Sequence, residues 1–179
     1  DWERFKREIS SLAKLHHPSI VRLFGADREG KHAFFTMELV EGTPLTDFVD
    51  KKKLPPRKVV EITAQLAEAL ATAHELDIIH RGVELKNIVL TKEGVPKLLD
   101  FSLAKSIGEA PSAQVTKAGE MVGSLAYTPP EVLNDGQHSP AGDVYQLAVS
   151  MYQLLAQSKV PLTGPIKKGA DGLEIAVSP

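Results

Sequence analysis

The stretch His80-Arg81-Gly82-Val83-Glu84-Leu85-Lys86-Asn87, with Asp100-Phe101-Ser102 downstream of it, decides how the rest of the sequence is interpreted. Between the two motifs lie two short apolar runs, Asn87–Leu90 and Pro96–Leu99, separated by the polar segment Thr91–Gly94. Two short apolar runs around a polar turn predict a β-hairpin. Asn87 and Asp100 therefore flank this hairpin, thirteen residues apart.

Helical and strand-like patterns surround the hairpin. Trp2–Leu15 and Arg57–Glu75 carry apolar side chains at helical spacing, and Asp143–Gln157 is apolar on most sides, which predicts a core helix. Ile20–Phe24 and Ala33–Val40 are predicted to form a first hairpin across a polar turn at 27–30. The apolar positions expected to be buried in the second helix are Val60, Ile62, Leu66, Ala69, Leu70 and Ala73.

Two segments have no helical or strand periodicity. Residues 102–130 are rich in Ser, Ala, Gly, Thr and Pro, which predicts a long loop of the kind that usually has a function. Residues 159–179 contain Pro, Gly and Lys without a pattern and are predicted to be irregular. Lys51–Lys53 is interpreted as a solvated linker, because three lysines without aromatic neighbours are weak evidence for a polyanion site.

Composition excludes several classes of protein. With 179 residues and 42% apolar content, the chain can bury the core of one domain. Its formal net charge is −2 and its basic residues are dispersed, so no nucleic-acid partner is expected. It has no cysteine and no apolar run near the roughly eighteen residues that a membrane helix needs. These features predict a cytoplasmic protein with no membrane segment in this chain.

The order and spacing of the motifs resemble the protein kinase family, specifically bacterial serine/threonine kinases, from Trp2 to Leu155. In that family the catalytic loop contains His-Arg-Asp with an Asn five positions after the Asp, and a metal-binding Asp-Phe-Gly follows. Residues 123–131 resemble the end of the activation loop, normally Ala-Pro-Glu. Residues 143–147 resemble the start of the central C-lobe helix. Four blocks in the family's order make a chance match implausible.

The resemblance implies an α+β fold of the protein kinase type. We expect an incomplete N-lobe over 1–40, made of helix C plus about two strands. A mainly helical C-lobe truncated after the central helix should cover 41–158, with an activation segment over 100–131, before the irregular tail at 159–179. Because only part of each lobe is present, apolar surface should be uncovered, which predicts poor solubility or dependence on a partner.

The same resemblance assigns roles to individual residues. The structural positions are Glu8, Leu12, Leu23, His80, Arg81, Phe101, Glu131 and Asp143. Four of them, Leu12, Leu23, His80 and Phe101, would stack as the regulatory spine, and Asp143 would anchor the backbone of His80. Each of these also has a plainer interpretation, as a core side chain or, for Asp143, as a helix N-cap.

The ligand positions follow in the same way. Nucleotide would contact the hinge through Met37, Glu38 and Val40 and the adenine floor through Val89, whereas Asn87 and Asp100 would hold magnesium. Asn87 and Asp100 could instead be turn residues beside the hairpin.

Arg81 resembles the family residue that pairs with a phosphorylated side chain of the activation loop. Ser112 and Thr116 would be candidate acceptors of that phosphate. An ordinary ion pair between Arg81 and a carboxylate is the interpretation we favour.

Two substitutions oppose phosphotransfer. Gly82 stands where the family has the Asp that accepts the substrate proton, and such a base contributes roughly 10²–10⁴-fold. Glu84 stands where the family has a Lys directed at the transferred phosphate, and a reversed unit charge at ~4 Å is on the order of 4 kcal/mol at an effective dielectric near 20. Ser102 in place of the motif's Gly is a weaker change.

We therefore expect a kinase-like domain that is catalytically impaired and has a binding or scaffold role with a protein partner. The family's Gly-rich loop and ATP-binding Lys precede the helix that contains Glu8, and this sequence does not include them. ATP and Mg²⁺ are the cofactors that the resemblance implies, with weak or no binding expected. The alternative is a fragment of an active ATP-dependent serine/threonine kinase.

Overall fold

The computed structural model describes residues 2–50, 53–101, 105–106, 127–157, 166–169 and 172–175. Within these residues the helices are α1 (Trp2–Leu12), α2 (Asp47–Asp50), α3 (Pro56–His74), α4 (Pro130–Asp135) and α5 (Pro140–Ala156). The strands are β1 (Leu23–Glu29), β2 (His32–Met37), β3 (Gly42–Pro44), β4 (Ile78–Ile79), β5 (Ile88–Thr91), β6 (Pro96–Leu98), β7 (Lys105–Ser106), β8 (Ile166–Gly169) and β9 (Gly172–Ile175). A 3₁₀ turn covers Leu85–Asn87. The α+β class expected from the sequence is confirmed.

The first hairpin is present, but its strands are displaced from the predicted positions. The β1 strand begins at Leu23 and continues to Glu29, and it pairs antiparallel with β2. The preceding residues pair elsewhere, because Val21 N donates to Leu98 O at 3.0 Å and Leu98 N donates to Ser19 O at 2.8 Å. The turn lies at Gly30 and Lys31, so it includes only the last of the predicted turn residues 27–30, and the φ of Gly30, 59°, is left-handed.

The second hairpin, β5–β6, has the predicted position and joins β3 in a three-stranded antiparallel sheet of order β3-β5-β6. No strand is predicted from the sequence at β3, because Gly and Pro within three residues are unfavourable in strands. The backbones of β3 and β5 approach so closely at Gly42 that a Cβ there would lie 2.4 Å from Leu90 O, which explains why this residue is a glycine. The hairpin brings Asn87 and Asp100 to the same edge of this sheet.

Helices α3 and α5 pack against each other, and α3 also contacts β6. One predicted core position of α3 is wrong, since Val60 is 52% exposed and its neighbour Val59 is fully buried. The apolar character of α5 was also overestimated. Its buried face includes Gln146, Ser150 and Gln153, whereas Val144 is exposed.

The N-terminus of α5 corrects the alternative interpretation of Asp143 as an N-cap. The helix begins three residues earlier, at Pro140, and the Ser139 side chain accepts the hydrogen bond from Gly142 N. Asp143 therefore lies inside the first helical turns, where its carboxylate is available for contacts with another segment.

Two structured pieces, β7 and the β8–β9 hairpin, lie where irregular chain is predicted. Strand β7 pairs with β4 inside the predicted loop, and α4 begins at Pro130, at the end of that loop. The prediction of an irregular tail is wrong for β8 and β9, which form an antiparallel hairpin. Ser102, Ser112, Thr116 and Lys51–Lys52 lie outside the described residues. No described helix is long and apolar enough to cross a membrane.

Candidate functional site

The loop at residues 80–87, called the central loop below, is held by the buried carboxylate of Asp143. Its Oδ2 accepts a hydrogen bond from His80 N at 2.8 Å, and its Oδ1 accepts one from Arg81 N at 2.8 Å. The Nε2 atom of His74, at the end of α3, lies 2.8 Å from the same Oδ2. A carboxylate that is 1% exposed thus bonds to one buried and one partly buried amide of the loop and to one imidazole.

The ring of His80 is a neutral structural group. Gly82 N can only donate, so its 3.1 Å contact makes Nδ1 the acceptor and leaves Nε2–H to donate to Leu99 O at 2.9 Å. Burial lowers the pKa of His80, which agrees with an uncharged ring. The ring contacts Phe101 edge-on, with centroids 4.5 Å apart.

The other residues assigned to the regulatory spine lie in the same core. Leu12, Leu23 and Phe101 are buried at 4%, 7% and 3% exposure and belong to one hydrophobic cluster. Glu8 is half-buried one turn before Leu12, and within the described residues its carboxylate makes no ion pair. Glu131, on α4, lies close enough to Tyr145 that its charge, after burial, helps to raise the pKa of that phenol.

A cavity of about 260 Å³ opens beside the central loop. It is lined by Arg81, Gly82, Glu84, Lys86, Asn87, Asp100, Thr128, Pro129, Val132, His138 and Gln146. Asn87 Nδ2 donates to Gly82 O at 2.9 Å, so the Oδ1 atom of Asn87 remains as the acceptor of that amide. Arg81 and Asp100 both have left-handed backbones, with φ of 67° and 59°, and such strain in non-glycine residues clusters at functional sites.

The charge of Glu84 has a partner that the sequence analysis does not assign. Lys86 Nζ lies 2.8 Å from Glu84 Oε2, and both side chains line the cavity. Glu84 is 14% exposed and Lys86 is 63% exposed, so the pair lies at the cavity mouth. The negative charge of Glu84 is therefore paired with an adjacent cation.

Neither the neighbouring atoms nor the backbone conformation requires a glycine at position 82. A Cβ built at Gly82 would have its nearest neighbours at 3.6 Å from Asn87 Nδ2 and 3.8 Å from the His80 ring, which is ordinary contact. Its φ is outside the left-handed region, so the backbone also suits other residues. The central loop therefore has the space and the backbone for a residue with a Cβ at position 82.

The predicted hinge residues lie away from this cavity. Lys97 Nζ lies 2.8 Å from Glu38 Oε1, and Arg22 N donates to Glu38 Oε2 at 3.1 Å. Burial alone would raise the pKa of Glu38, but the contacts with Lys97 and Arg22 outweigh it and leave that pKa lowered. Its carboxylate instead lines a separate cavity of about 390 Å³.

The apolar ligand positions differ in exposure. Met37 is 49% exposed at the end of β2, whereas Val89 is buried at 9% exposure in β5. Neither these two nor Val40 lines the cavity beside the central loop.

Three residues of the site escape the sequence analysis. His74 contacts Asp143, Gln146 bonds to the backbone on both sides of Gly82, and Ser150 Oγ donates to Val83 O at 3.3 Å. A signal was present, because polar residues at 143, 146 and 150 share one face of an otherwise apolar helix. Buried polar residues at that spacing indicate a polar segment packed against the helix.

Comparisons with known proteins agree with these features. A family model described as protein kinase domain matches residues 1–172. The serine/threonine-protein kinases PknL and PknA of Mycobacterium tuberculosis are 34% identical over 162 residues and 36% identical over 168 residues. The serine/threonine-protein kinase pkn2 of Myxococcus xanthus is 32% identical over 169 residues.

These matches cover most of this chain but less than half of each relative. They include 90% of the chain for PknL and PknA and 93% for pkn2. The corresponding shares of the relatives are 40%, 38% and 20%.

Proposed function

The chain belongs to the protein kinase family, and from that premise we propose that it is a serine/threonine kinase-like domain impaired in phosphotransfer that acts by binding. The observation that carries the proposal is Gly82 at the centre of an otherwise well-bonded loop. His80, Arg81, Gly82 and Val83 all donate their backbone N–H groups to side chains. These hydrogen bonds stabilise the conformation of the loop, but the position where the family has its proton acceptor has no carboxylate.

The remaining groups of the cavity are suited to a metal–nucleotide ligand of low affinity. The Asn87 Oδ1 and the Asp100 carboxylate are oxygen donors of the kind that Mg²⁺ prefers, and nucleotide phosphates usually complete such a site. When bound, the metal would neutralise charge on the phosphates. The described residues contain no cluster of three or more acidic, His or Cys side chains that would hold a metal without phosphate. Weak or absent binding of ATP is therefore expected.

The domain boundaries, the location and the partner are parts of the same proposal. We assign 1–40 to a partial N-lobe, 41–158 to the C-lobe with its activation segment at 100–131, and 159–179 to a tail that includes the β8–β9 hairpin. A protein partner is supported by exposed apolar side chains, including Phe24 at 61% and Leu39 at 87%. The absence of cysteine supports a cytoplasmic location.

A second candidate, a piece of an active ATP-dependent serine/threonine kinase, is favoured by one observation. Lys86 places a cation at the mouth of the cavity that contains Asn87 and Asp100, although the family's Lys position is occupied by Glu84. A cation next to the phosphates is one of the groups that phosphoryl transfer needs. The base at position 82 would still be missing, so this candidate stands second.

Calorimetric titration with ATP, with and without Mg²⁺, tests the proposal. The wild type is compared with Asp100→Ala and with Asp27→Ala, a control at an exposed hairpin residue outside the cavity. Weak binding that requires Mg²⁺ and is lost only in Asp100→Ala supports the cavity as a metal–nucleotide site. Absence of binding supports a domain that acts through protein contacts alone. Tight binding that survives Asp100→Ala contradicts the assigned site.

A further inference from the structure

Gln146 bonds to the central loop on both sides of Gly82. Its Oε1 accepts a hydrogen bond from Val83 N at 3.0 Å, and its Nε2 donates to Arg81 O at 3.3 Å. The residue is 5% exposed and lies on α5 one turn after Asp143. Both ends of one amide are thus matched to the two peptide groups that flank Gly82, which is how a buried amide avoids unpaired polar atoms.

Gly82 is the position of the loop that most needs such a constraint. Glycine has more backbone freedom than any other residue, so a segment centred on glycine loses more entropy when it is ordered. The N–H of Gly82 bonds to the His80 ring, but no side chain at position 82 limits its φ and ψ. Gln146 fixes the peptide groups before and after the glycine and so restricts its backbone from outside.

The restriction of the Gly82 backbone by Gln146 also affects Asn87, a predicted metal ligand. Gly82 O accepts the hydrogen bond from Asn87 Nδ2 at 2.9 Å, and this bond determines which way the Asn87 amide is turned. A change in the backbone at Gly82 would therefore free the Asn87 side chain to rotate. Asn87 and Gln146 also line the same cavity.

We propose that Gln146 is a positioning residue: it holds the peptide groups on either side of Gly82 and, through the carbonyl of Gly82, orients the Asn87 amide toward the cavity. The orientation of Asn87 toward a metal rests on the function proposed above. The restriction of the loop backbone does not, so the two parts can fail separately.

The test compares Gln146→Met with Gln153→Met in the same chain. Gln153 is the matched control, because it is also a buried glutamine on α5, at 7% exposure, but it accepts from the Tyr127 hydroxyl and does not itself bond to the peptide groups that flank Gly82. Methionine has a similar shape and cannot replace the two hydrogen bonds. Loss of these bonds should speed hydrogen exchange at Val83 N–H by about ten-fold in Gln146→Met and leave it unchanged in Gln153→Met.

The side-chain amide of Asn87 is the readout that a purely structural role would not move. In NMR spectra of the nucleotide-free chain, its two Nδ2 protons should have shifts displaced from those of a solvent-exposed Asn, with slow exchange with water, in the wild type and in Gln153→Met. In Gln146→Met both shifts should move toward those of a solvent-exposed Asn, and exchange with water should become faster. If both variants lower stability equally and leave the Asn87 signals unchanged, Gln146 is only a packing residue and the proposal is wrong.

A double mutant separates restriction of Gly82 from other effects of the substitution. Alanine fits at position 82, because the nearest atom to a Cβ there is at 3.6 Å, and it reduces the freedom of the backbone. Gly82→Ala should therefore slow exchange at Val83 more in Gln146→Met than in the presence of Gln146. Equal effects in the two backgrounds would overturn the proposal.

Discussion

The two faces of the central loop differ in the side chains that they contact or carry. On the face toward α5, backbone groups bond to Asp143, Gln146 and Ser150, and each of these side chains is at most 5% exposed. On the face toward the cavity, Gly82 has no side chain and Glu84 pairs with Lys86. The difference teaches that the contacts that form a kinase-like loop are separable from the groups that use it for chemistry.

The α5 face should therefore control stability, and Asp143 should have the largest effect. Asp143→Ala removes the acceptor of one buried and one partly buried amide, and at about 1–3 kcal/mol for each unsatisfied group the free energy of unfolding should fall by about 2–6 kcal/mol. Urea denaturation monitored by circular dichroism measures this loss. Asp27→Ala, at an exposed residue of the first hairpin, is the control and should stay near the wild type. A loss below ~1 kcal/mol for Asp143→Ala would contradict the claim that the face toward α5 controls stability.

The second prediction concerns pH and the neutral ring of His80. Because burial lowers its pKa in the folded state, the unfolded chain binds a proton below the ordinary value of 6.5 while the native chain does not. The stability linked to this ring is fully present above that pH and is lost as the pH falls below it, by about 1.4 kcal/mol per pH unit until the folded-state pKa is reached.

NMR titration of the histidine rings and denaturation at two pH values measure this effect. The His80 ring should keep its neutral shifts at pH values below 6.5, where an exposed histidine becomes protonated. His80→Gln should reduce the pH dependence of stability, whereas His32→Gln, at an exposed position, should leave it unchanged. A His80 ring that titrates at or above 6.5 would show that it is not a buried neutral group.

The smallest effect is expected at the cavity face. Lys86→Ala should lower the free energy of unfolding by no more than about 1 kcal/mol, because the lysine is exposed. Lys92→Ala is a matched control, since Lys92 pairs with Glu41 at the same 2.8 Å but both partners are at least 70% exposed. The loss should be larger for Lys86 than for Lys92, since its partner Glu84 is mostly buried. Equal losses would indicate that Glu84 does not depend on Lys86.

Much of the fold could be predicted from the sequence because local signals agreed with the tertiary structure. The β5–β6 hairpin followed from a polar turn between apolar runs, and the order of motifs predicted the family that the comparisons confirm. Strand β3 could not be predicted, because its pairing with β5 depends on a distant segment and its Gly and Pro disfavour a strand locally. Periodicity could have ranked Val59 above Val60, because Val59 lies three residues before Ile62 at helical spacing, whereas Val60 points about 100° further around the helix.

The site was less predictable, for a related reason. Motif spacing led to His80, Asn87, Asp100 and Asp143, and the structure brings these residues around one loop. The pairing of Glu84 with Lys86 changes the interpretation of Glu84, because an aligned position does not show which neighbour neutralises a charge. The role of Gln146 could not be predicted from the sequence, since a glutamine in an apolar helix has no family motif of its own.

Phosphotransfer by the full-length protein tests the central claim most directly. The measurement is transfer from radiolabelled ATP in the presence of Mg²⁺, to itself and to a generic protein substrate, by the wild type and by Glu84→Gln. Because position 82 has no proton acceptor, we expect no transfer above background from either protein. Robust turnover by the wild type would contradict the account, and its survival in Glu84→Gln would show that the Glu84 carboxylate does not supply the base.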